Sequence, residues 1–144
     1  MAELIEIRWH GRGGQGLVTA GKLLAEMALT NDWYFQAFPD YGPERMGAPI
    51  RAFTRLSSQP IRIHSQIENP DIVVVLDPSL IEPAQVAKGL QDDGILLVNT
   101  TEDPAELRKR LGLPDSVTVY TVDASKIAIE EVGKDVPNTP LLGA

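Results

Sequence analysis

The sequence of 144 residues contains no cysteine, so a disulfide bond, a thiolate nucleophile and an iron–sulfur cluster held by this chain are excluded. Histidine is scarce as well: His10 and His64 stand far apart, and neither lies in a metal-binding or catalytic motif. No apolar run approaches the ~18 residues of a membrane-spanning helix, and the acidic N-terminus does not resemble a signal peptide. We therefore expect a cytoplasmic chain without a membrane partner, a metal site or a catalytic residue.

Positive charge is also in short supply, because 13 Lys and Arg face 20 Asp and Glu and the net charge is −7. This balance argues against a nucleic-acid partner. The charges are unevenly distributed: residues 1–65 carry seven basic and six acidic side chains, whereas residues 66–144 carry six and fourteen. Any anionic ligand is therefore expected to meet the first half of the chain. The length and the 43% hydrophobic content predict a single domain over residues 1–144.

Strand and helix patterns alternate along this domain. They predict strands at residues 5–9, 33–38, 50–56, 72–76, 94–99 and 117–122, and helices at residues 17–29, 83–90, 104–111 and 124–131. The first three elements form a β–α–β unit, which favours parallel strands. The alternation at residues 61–63 predicts an antiparallel hairpin with the strand at 50–56. The expected fold class is α/β, a Rossmann-like and mostly parallel sheet flanked by helices, with an inserted antiparallel hairpin.

A glycine-rich run lies between the first predicted strand and the first predicted helix, and it reads Gly11-Arg12-Gly13-Gly14-Gln15-Gly16. Its spacing matches G-x-G-x-x-G, and the N–H groups at a helix start attract anions. The match to a dinucleotide fingerprint is incomplete, because the only acid at the end of the second strand is Asp40. An arginine inside the turn favours additional phosphate charge. The run therefore predicts a site for a phosphate-bearing ligand or an acidic partner.

The segment at residues 39–49 is predicted to be a functional loop rather than a simple connection. It contains three prolines together with Tyr41, Glu44 and Arg45. Long ordered loops tend to be functional, and loops that follow the carboxyl ends of strands line the ligand crevice of open α/β sheets.

Arginines recur on one side of the predicted hairpin. Arg51, Arg55 and Arg62 share that side, and His64 lies nearby in the sequence. One interpretation is a solvated strand face. The other is a binding surface for phosphates or for the carboxylates of a partner, because the guanidinium group pairs with both. The spacing alone leaves both open.

Four blocks of sequence, in order, resemble the gamma subunit of 2-oxoacid:ferredoxin oxidoreductases, the pyruvate/ketoisovalerate oxidoreductase family. They are Glu6-Ile7-Arg8-Trp9-His10-Gly11-Arg12-Gly13-Gly14-Gln15-Gly16, Gln36-Ala37-Phe38-Pro39-Asp40-Tyr41-Gly42-Pro43-Glu44-Arg45-Met46-Gly47-Ala48-Pro49, Asn69-Pro70-Asp71 with the valine run after it, and Pro137-Asn138-Thr139-Pro140-Leu141-Leu142-Gly143-Ala144. Members of the family usually continue beyond the last block with further helices, and we expect the domain over residues 1–144 to lack them.

The resemblance implies a multi-subunit enzyme that converts a 2-oxoacid and coenzyme A to acyl-CoA, carbon dioxide and a reduced acceptor such as ferredoxin. It implies that alpha, beta and delta-type subunits hold thiamine diphosphate, magnesium and [4Fe–4S] clusters. The gamma subunit is inactive alone, supports assembly and is associated with coenzyme A. By this likeness, residues 11–16 contact a phosphate or a partner's backbone, and Tyr41, Glu44 and Arg45 face the subunit junction.

Two other functions remain open from the residues themselves. The chain could be a free-standing Rossmann-type oxidoreductase domain that binds NAD(P) or FAD through the glycine run. It could also be an assembly module without a ligand. The identity of the 2-oxoacid is not encoded in any motif of this chain.

Overall fold

The computed structural model describes residues 3–13, 16–40, 49–81 and 86–132. The elements in these ranges are, in chain order, β1 (Leu4–Arg12), α1 (Leu17–Leu29), β2 (Tyr34–Pro39), β3 (Pro49–Ser57), β4 (Ile72–Val75), a short 3-10 helix (Pro78–Leu80), β5 (Ile95–Asn99), α2 (Pro104–Leu111), β6 (Thr118–Val122) and α3 (Ala124–Val132). The six strands form one sheet in the order β2-β3-β1-β4-β5-β6. The predicted α/β class is confirmed.

The sheet has a parallel half and an antiparallel half that meet at β1. Strands β1, β4, β5 and β6 are parallel neighbours, whereas β3 pairs antiparallel with β1 on one side and with β2 on the other. Strands β1 and β2 therefore run in the same direction, as the β–α–β unit predicted, but β3 lies between them.

The predicted hairpin between residues 50–56 and 61–63 is wrong. The hairpin partner of β3 is β2, and residues 58–71 form neither helix nor strand. The backbone carbonyl of Ile63 instead accepts a hydrogen bond from Gln36 Nε2 at 2.7 Å. The local alternation was real, but β1 and β2 already occupy both edges of β3, so no edge is left for residues 61–63.

The predicted helix at residues 83–90 is not observed in the part that the structure describes. Residues 82–85 lie outside the described ranges, and residues 86–89 form turns. Gly89 has a φ of 81°, which a right-handed helix cannot accommodate. The carbonyls of Val86 and Lys88 accept hydrogen bonds from the guanidinium of Arg8. In this segment, hydrogen bonds to the side chain of the distant Arg8 take the place of the predicted helix. No helix in the described ranges is long and apolar enough to cross a membrane.

Each face of the sheet carries its own apolar core. On one face, Ile7 and Trp9 of β1 and Val74 of β4 pack with Leu17 and Ala20 of α1. On the opposite face, Leu107 of α2 packs against alternate residues of the parallel half of the sheet, which are Val73, Val75, Leu96, Val98 and Val119. The unbroken valine run of β4 follows from this burial on both faces.

Helix α1 lies close to the sheet because a glycine faces it. The ideal position for a Cβ atom on Gly21 is 3.1 Å from Thr54 Oγ1 and 3.7 Å from Trp9 Nε1. Those two side chains are buried and joined by a 3.1 Å hydrogen bond. The buried face of α1 also includes Ala25, whereas Met27 is 47% exposed.

We predict that Gly21→Val destabilises the chain by about 1–3 kcal/mol, because the new methyl groups overpack the Trp9–Thr54 pair. Valine is slightly better than glycine inside a helix, so any loss must come from packing. The measurement is the free energy of unfolding from urea denaturation. The matched control is Lys22→Val at the next, exposed position. Equal stability of both variants would show that α1 is free to move outward.

Candidate functional site

The strand order creates a topological switch point between β1 and β4. The chain leaves β1 through α1 toward the β2 edge of the sheet, and it leaves β4 toward β5 and β6 on the other side. In open α/β sheets the ligand crevice lies beyond the carboxyl ends of the strands at such a point. In this chain its two walls are the described flanks of the glycine run, Gly13 and Gly16, and the turn at residues 77–79. We name this place the switch-point crevice.

The glycine run is only partly a turn. Gly11 and Arg12 belong to β1, where they pair with Ile50 and Pro49 of β3, so the prediction that both lie in the turn is wrong. The reason is that β3 extends the antiparallel ladder to the end of the run. Gly16 has a φ of 76° and directly precedes α1, a conformation that favours glycine. Gly14 and Gln15 lie outside the described residues.

Arg12 contacts the opposite wall of the crevice rather than pointing from a turn. Its Nε donates to Asp77 Oδ2 at 3.1 Å, and its Nη2 donates to Ser79 Oγ at 2.9 Å. The other carboxylate oxygen, Asp77 Oδ1, accepts from the backbone N–H of Ser79 at 3.0 Å and from its hydroxyl at 2.6 Å. Asp77 thus caps the 3-10 helix and pairs with Arg12 at once.

The base of the predicted functional loop is closed by an ion pair. Arg51 donates through Nε and Nη2 to Asp40 Oδ2 at 2.9 and 2.6 Å, and the N–H of Asp40 donates to the carbonyl of Arg51. Gln66 donates to the remaining carboxylate oxygen at 2.6 Å. The predicted site residues Tyr41, Glu44 and Arg45 lie outside the described residues.

The position of Asp40 argues against the role of a ribose-binding acid. Both of its carboxylate oxygens are already bonded, to Arg51 and Gln66. Strand β3 also separates the strand that ends before Asp40 from β1, a displacement of about 10 Å for two strand spacings. In a dinucleotide site the acid follows the strand next to the glycine turn. The alternative in which the glycine run binds NAD or FAD therefore lacks a ribose-binding acid at Asp40.

A polar cluster with a buried centre lies on the sheet face opposite α1, where β1 and β3 meet. We call it the polar seam; its members are Glu6, Arg8, His10, Arg51 and Arg55. Arg55 is 1% exposed and donates through Nε to Glu6 Oε2 at 2.8 Å and through Nη1 to Gln36 at 2.7 Å. Such pairing offsets the desolvation of its charge.

Arg8 holds the second buried positive charge of the polar seam. It is 5% exposed; its Nε donates to His10 Nε2 at 2.9 Å, and its Nη2 donates to the two carbonyls after β4. Burial, and then repulsion from Arg51, lowers the pKa of Arg8 to about 10. Burial, followed by repulsion from Arg8 and Arg51, lowers the pKa of His10 to about 3. His10 is therefore neutral at pH 7, with Nε2 as the acceptor.

The predicted arginine face is half right. Arg51 and Arg55 share a face, but their charges are matched by carboxylates, and their guanidinium groups lie 5.6 Å from the ring centre of Phe53 and 5.7 Å from that of Phe38. Arg62 is exposed in the segment after β3 and belongs to no hairpin. The reason is that residues 61–63 form no strand, so no hairpin places Arg62 beside Arg51 and Arg55. The face is not an open anion-binding surface.

Sequence reasoning missed the residues that fix the carboxyl edge of the sheet. Asn99, at the end of β5, donates to the carbonyl of Leu76 and to Ser125 Oγ, and its Oδ1 accepts the N–H groups of Ala124 and Ser125 at the start of α3. The signal available in the sequence was an asparagine at the end of an apolar strand pattern. Across the described ranges, no group of three His, Asp or Glu side chains is arranged to hold a metal ion.

We predict that stability falls as the pH drops below about 6.5, because the unfolded chain protonates His10 and the folded chain does not until about pH 3. The expected loss is about 1.4 kcal/mol per pH unit between pH 6.5 and 5. Chemical denaturation at several pH values measures it. His10→Gln keeps an acceptor for Arg8 and should flatten this slope, whereas the exposed His64→Gln should retain it. A wild-type slope in His10→Gln would contradict the assignment.

Comparison with known proteins identifies the family. Residues 6–144 match the model of the pyruvate ferredoxin/flavodoxin oxidoreductase family. The chain is 53% identical over 139 residues to pyruvate synthase subunit PorC of Thermotoga maritima, covering 96% of this chain and 71% of that protein. It is 52% identical over 141 residues to the pyruvate/ketoisovalerate oxidoreductases common subunit gamma of Pyrococcus abyssi, covering 98% and 76%.

A solved structure agrees with the sequence comparison. The crystal structure of pyruvate oxidoreductase subunit PORC from Thermotoga maritima superposes with a TM-score of 0.84 at 48% identity, over 98% of this chain and 74% of that one. The family expected from the four sequence blocks is confirmed. The chain belongs to the pyruvate ferredoxin/flavodoxin oxidoreductase family, as a gamma-type subunit of a multi-subunit oxidoreductase that acts on 2-oxoacids.

Proposed function

We propose that this chain is the non-catalytic gamma subunit of a complex that oxidises a 2-oxoacid and transfers the acyl group to coenzyme A. Alpha, beta and delta-type chains hold thiamine diphosphate, magnesium and [4Fe–4S] clusters, and electrons pass to ferredoxin. The single observation that carries this proposal is the family match over residues 6–144. The names of the relatives, pyruvate synthase and pyruvate/ketoisovalerate oxidoreductases, agree with it.

The chemistry of the chain supports this division of labour. Iron–sulfur clusters require cysteine thiolates, and the sequence has none. The one strongly buried histidine is committed to Arg8 and is neutral, so it is poorly placed to exchange protons near pH 7. We infer that the chain shapes a binding surface and that the redox chemistry takes place on its partners, so the chain is inactive alone.

Coenzyme A supplies the thiol that receives the acyl group, and we propose that its diphosphate meets the switch-point crevice. The support is positional: the crevice lies at the carboxyl ends of parallel strands, and α1 begins there after a left-handed Gly16. The N–H groups of a first helical turn attract anions. We propose that Gly13, Gly14, Gln15 and Gly16 line the diphosphate, with Gly11 and Arg12 beneath them, and that Tyr41, Glu44 and Arg45 face the subunit junction.

An assembly module without a ligand is the second candidate. The observation that favours it is the pairing of the conspicuous arginines with carboxylates of this same chain, which leaves less positive charge for a small anion. In that case the crevice receives the backbone of a partner subunit. A free-standing dinucleotide-binding enzyme has less support, because Asp40 is displaced and bonded.

We predict that the chain, tagged in its native source, co-purifies with a thiamine diphosphate-binding chain and a cluster-binding chain. The complex should consume a 2-oxoacid in the presence of coenzyme A, whereas the isolated chain should not. Mass spectrometry of the eluate and the visible absorbance of clusters are the measurements. Purification without any thiamine diphosphate-binding chain would remove the proposal.

One negative charge introduced into the first turn of α1 distinguishes a coenzyme A site from an assembly module without a ligand. We predict that Thr19→Glu, exposed at the third residue of α1, raises the KM for coenzyme A of the complex about tenfold, because an anion near the helix start repels the diphosphate. A glutamate there does not weaken the helix, since it complements the dipole. Thr19→Gln is the neutral control. If the complex assembles with both variants and KM stays unchanged, the first turn of α1 is not the anion site.

A further inference from the structure

We propose that Arg12 is a positioning residue that fixes the two walls of the switch-point crevice relative to each other. It acts through Asp77 and Ser79 and does not bind the ligand's phosphate itself. The sequence alone favoured a different role, in which Arg12 supplies positive charge to a phosphate. The functional readout below rests on the proposed coenzyme A site.

Hydrogen bonds join the two walls where the chain leaves β1 and β4. Arg12 is the last residue of β1, where it pairs with Pro49, and Gly13, one flank of the glycine run, follows it directly. Its guanidinium reaches the turn that follows β4 and bonds both Asp77 Oδ2 and Ser79 Oγ. Below them, the N–H of Leu76 donates to the carbonyl of His10 at 2.8 Å, so β1 and the chain after β4 are also joined through the backbone.

The charge of Arg12 is already matched at this position. Its side chain is 33% exposed and that of Asp77 is 18% exposed, so the pair is only partly screened by water. An arriving phosphate would have to replace a carboxylate that also caps the 3-10 helix through Ser79. Asp77 would then repel the same phosphate. A positioning role avoids both costs because it keeps the pair intact.

The direction in which one substitution changes the KM for coenzyme A distinguishes the two roles. Asp77→Asn retains the oxygen that caps the 3-10 helix but removes the charge opposite Arg12. If Arg12 positions the walls, both Asp77→Asn and Arg12→Met raise the KM for coenzyme A of the complex by about fivefold at unchanged kcat, and the double variant is no worse than the worse single one. If Arg12 binds phosphate, Asp77→Asn removes the carboxylate that competes with the phosphate for Arg12, and KM falls.

Two control variants test whether the loss of an exposed charge by itself changes KM or kcat. Arg62→Met removes an exposed arginine outside the crevice, and Asp115→Asn changes an exposed aspartate in the loop before β6, at the opposite edge of the sheet. Both should leave KM and kcat at wild-type values. A KM that stays level or falls in Asp77→Asn, while it rises in Arg12→Met, would overturn the positioning role.

A second readout needs no coenzyme A. In NMR spectra of the full chain labelled with ¹⁵N, Arg12→Met and Asp77→Asn should displace a shared set of backbone amides, those of Gly13, Gly16 and Ser79. If only Arg12→Met moves them, the two walls are not coupled and the proposal is wrong. If the wild-type complex shows no dependence on coenzyme A, the proposed function fails by itself, and the amide spectra still decide the role of Arg12.

Discussion

The rest of the structure depends on the double pairing of strand β1. Its nine residues form an antiparallel ladder with β3, and four of them form a parallel ladder with β4. Because side chains alternate across a strand, this register also assigns every residue of β1 to a face. Ile7 and Trp9 enter the core under α1, whereas Arg8 and His10 enter the polar seam. A slip by one residue would exchange the two sets and bury charges against α1.

The sequence predicted the parallel half of the fold more accurately than the antiparallel half. The uninterrupted apolar runs of β4 and β5 can be read without knowledge of a partner, since both faces are covered. The strand pattern of β3 was equally clear, but its partners were not. Residues 61–63 alternate in the same way and yet form no strand, because edge availability is a property of the whole sheet.

The candidate site was predictable in place but not in detail. The glycine run does adjoin the crevice, and Gly16 does introduce α1. What the sequence could not show is where the ladder of β3 ends, and that end determines whether Arg12 is a strand residue or a turn residue. Nor could it show that Arg55 meets Glu6, which is 49 positions away. Charges of one sign are visible in a sequence, whereas their counter-charges depend on tertiary contacts.

A binding crevice at the edge of a sheet needs walls that start from fixed points, and β1 supplies them. Its last residue is held by β3 on one side, while Asp77 and Ser79 tie it to the chain after β4 on the other. The buried Arg8 extends this connection to the backbone at Val86 and Lys88. The arginines of β1 are therefore used mainly to join segments of this chain. In the proposed coenzyme A site, the diphosphate would consequently be bound by backbone N–H groups rather than by these arginines.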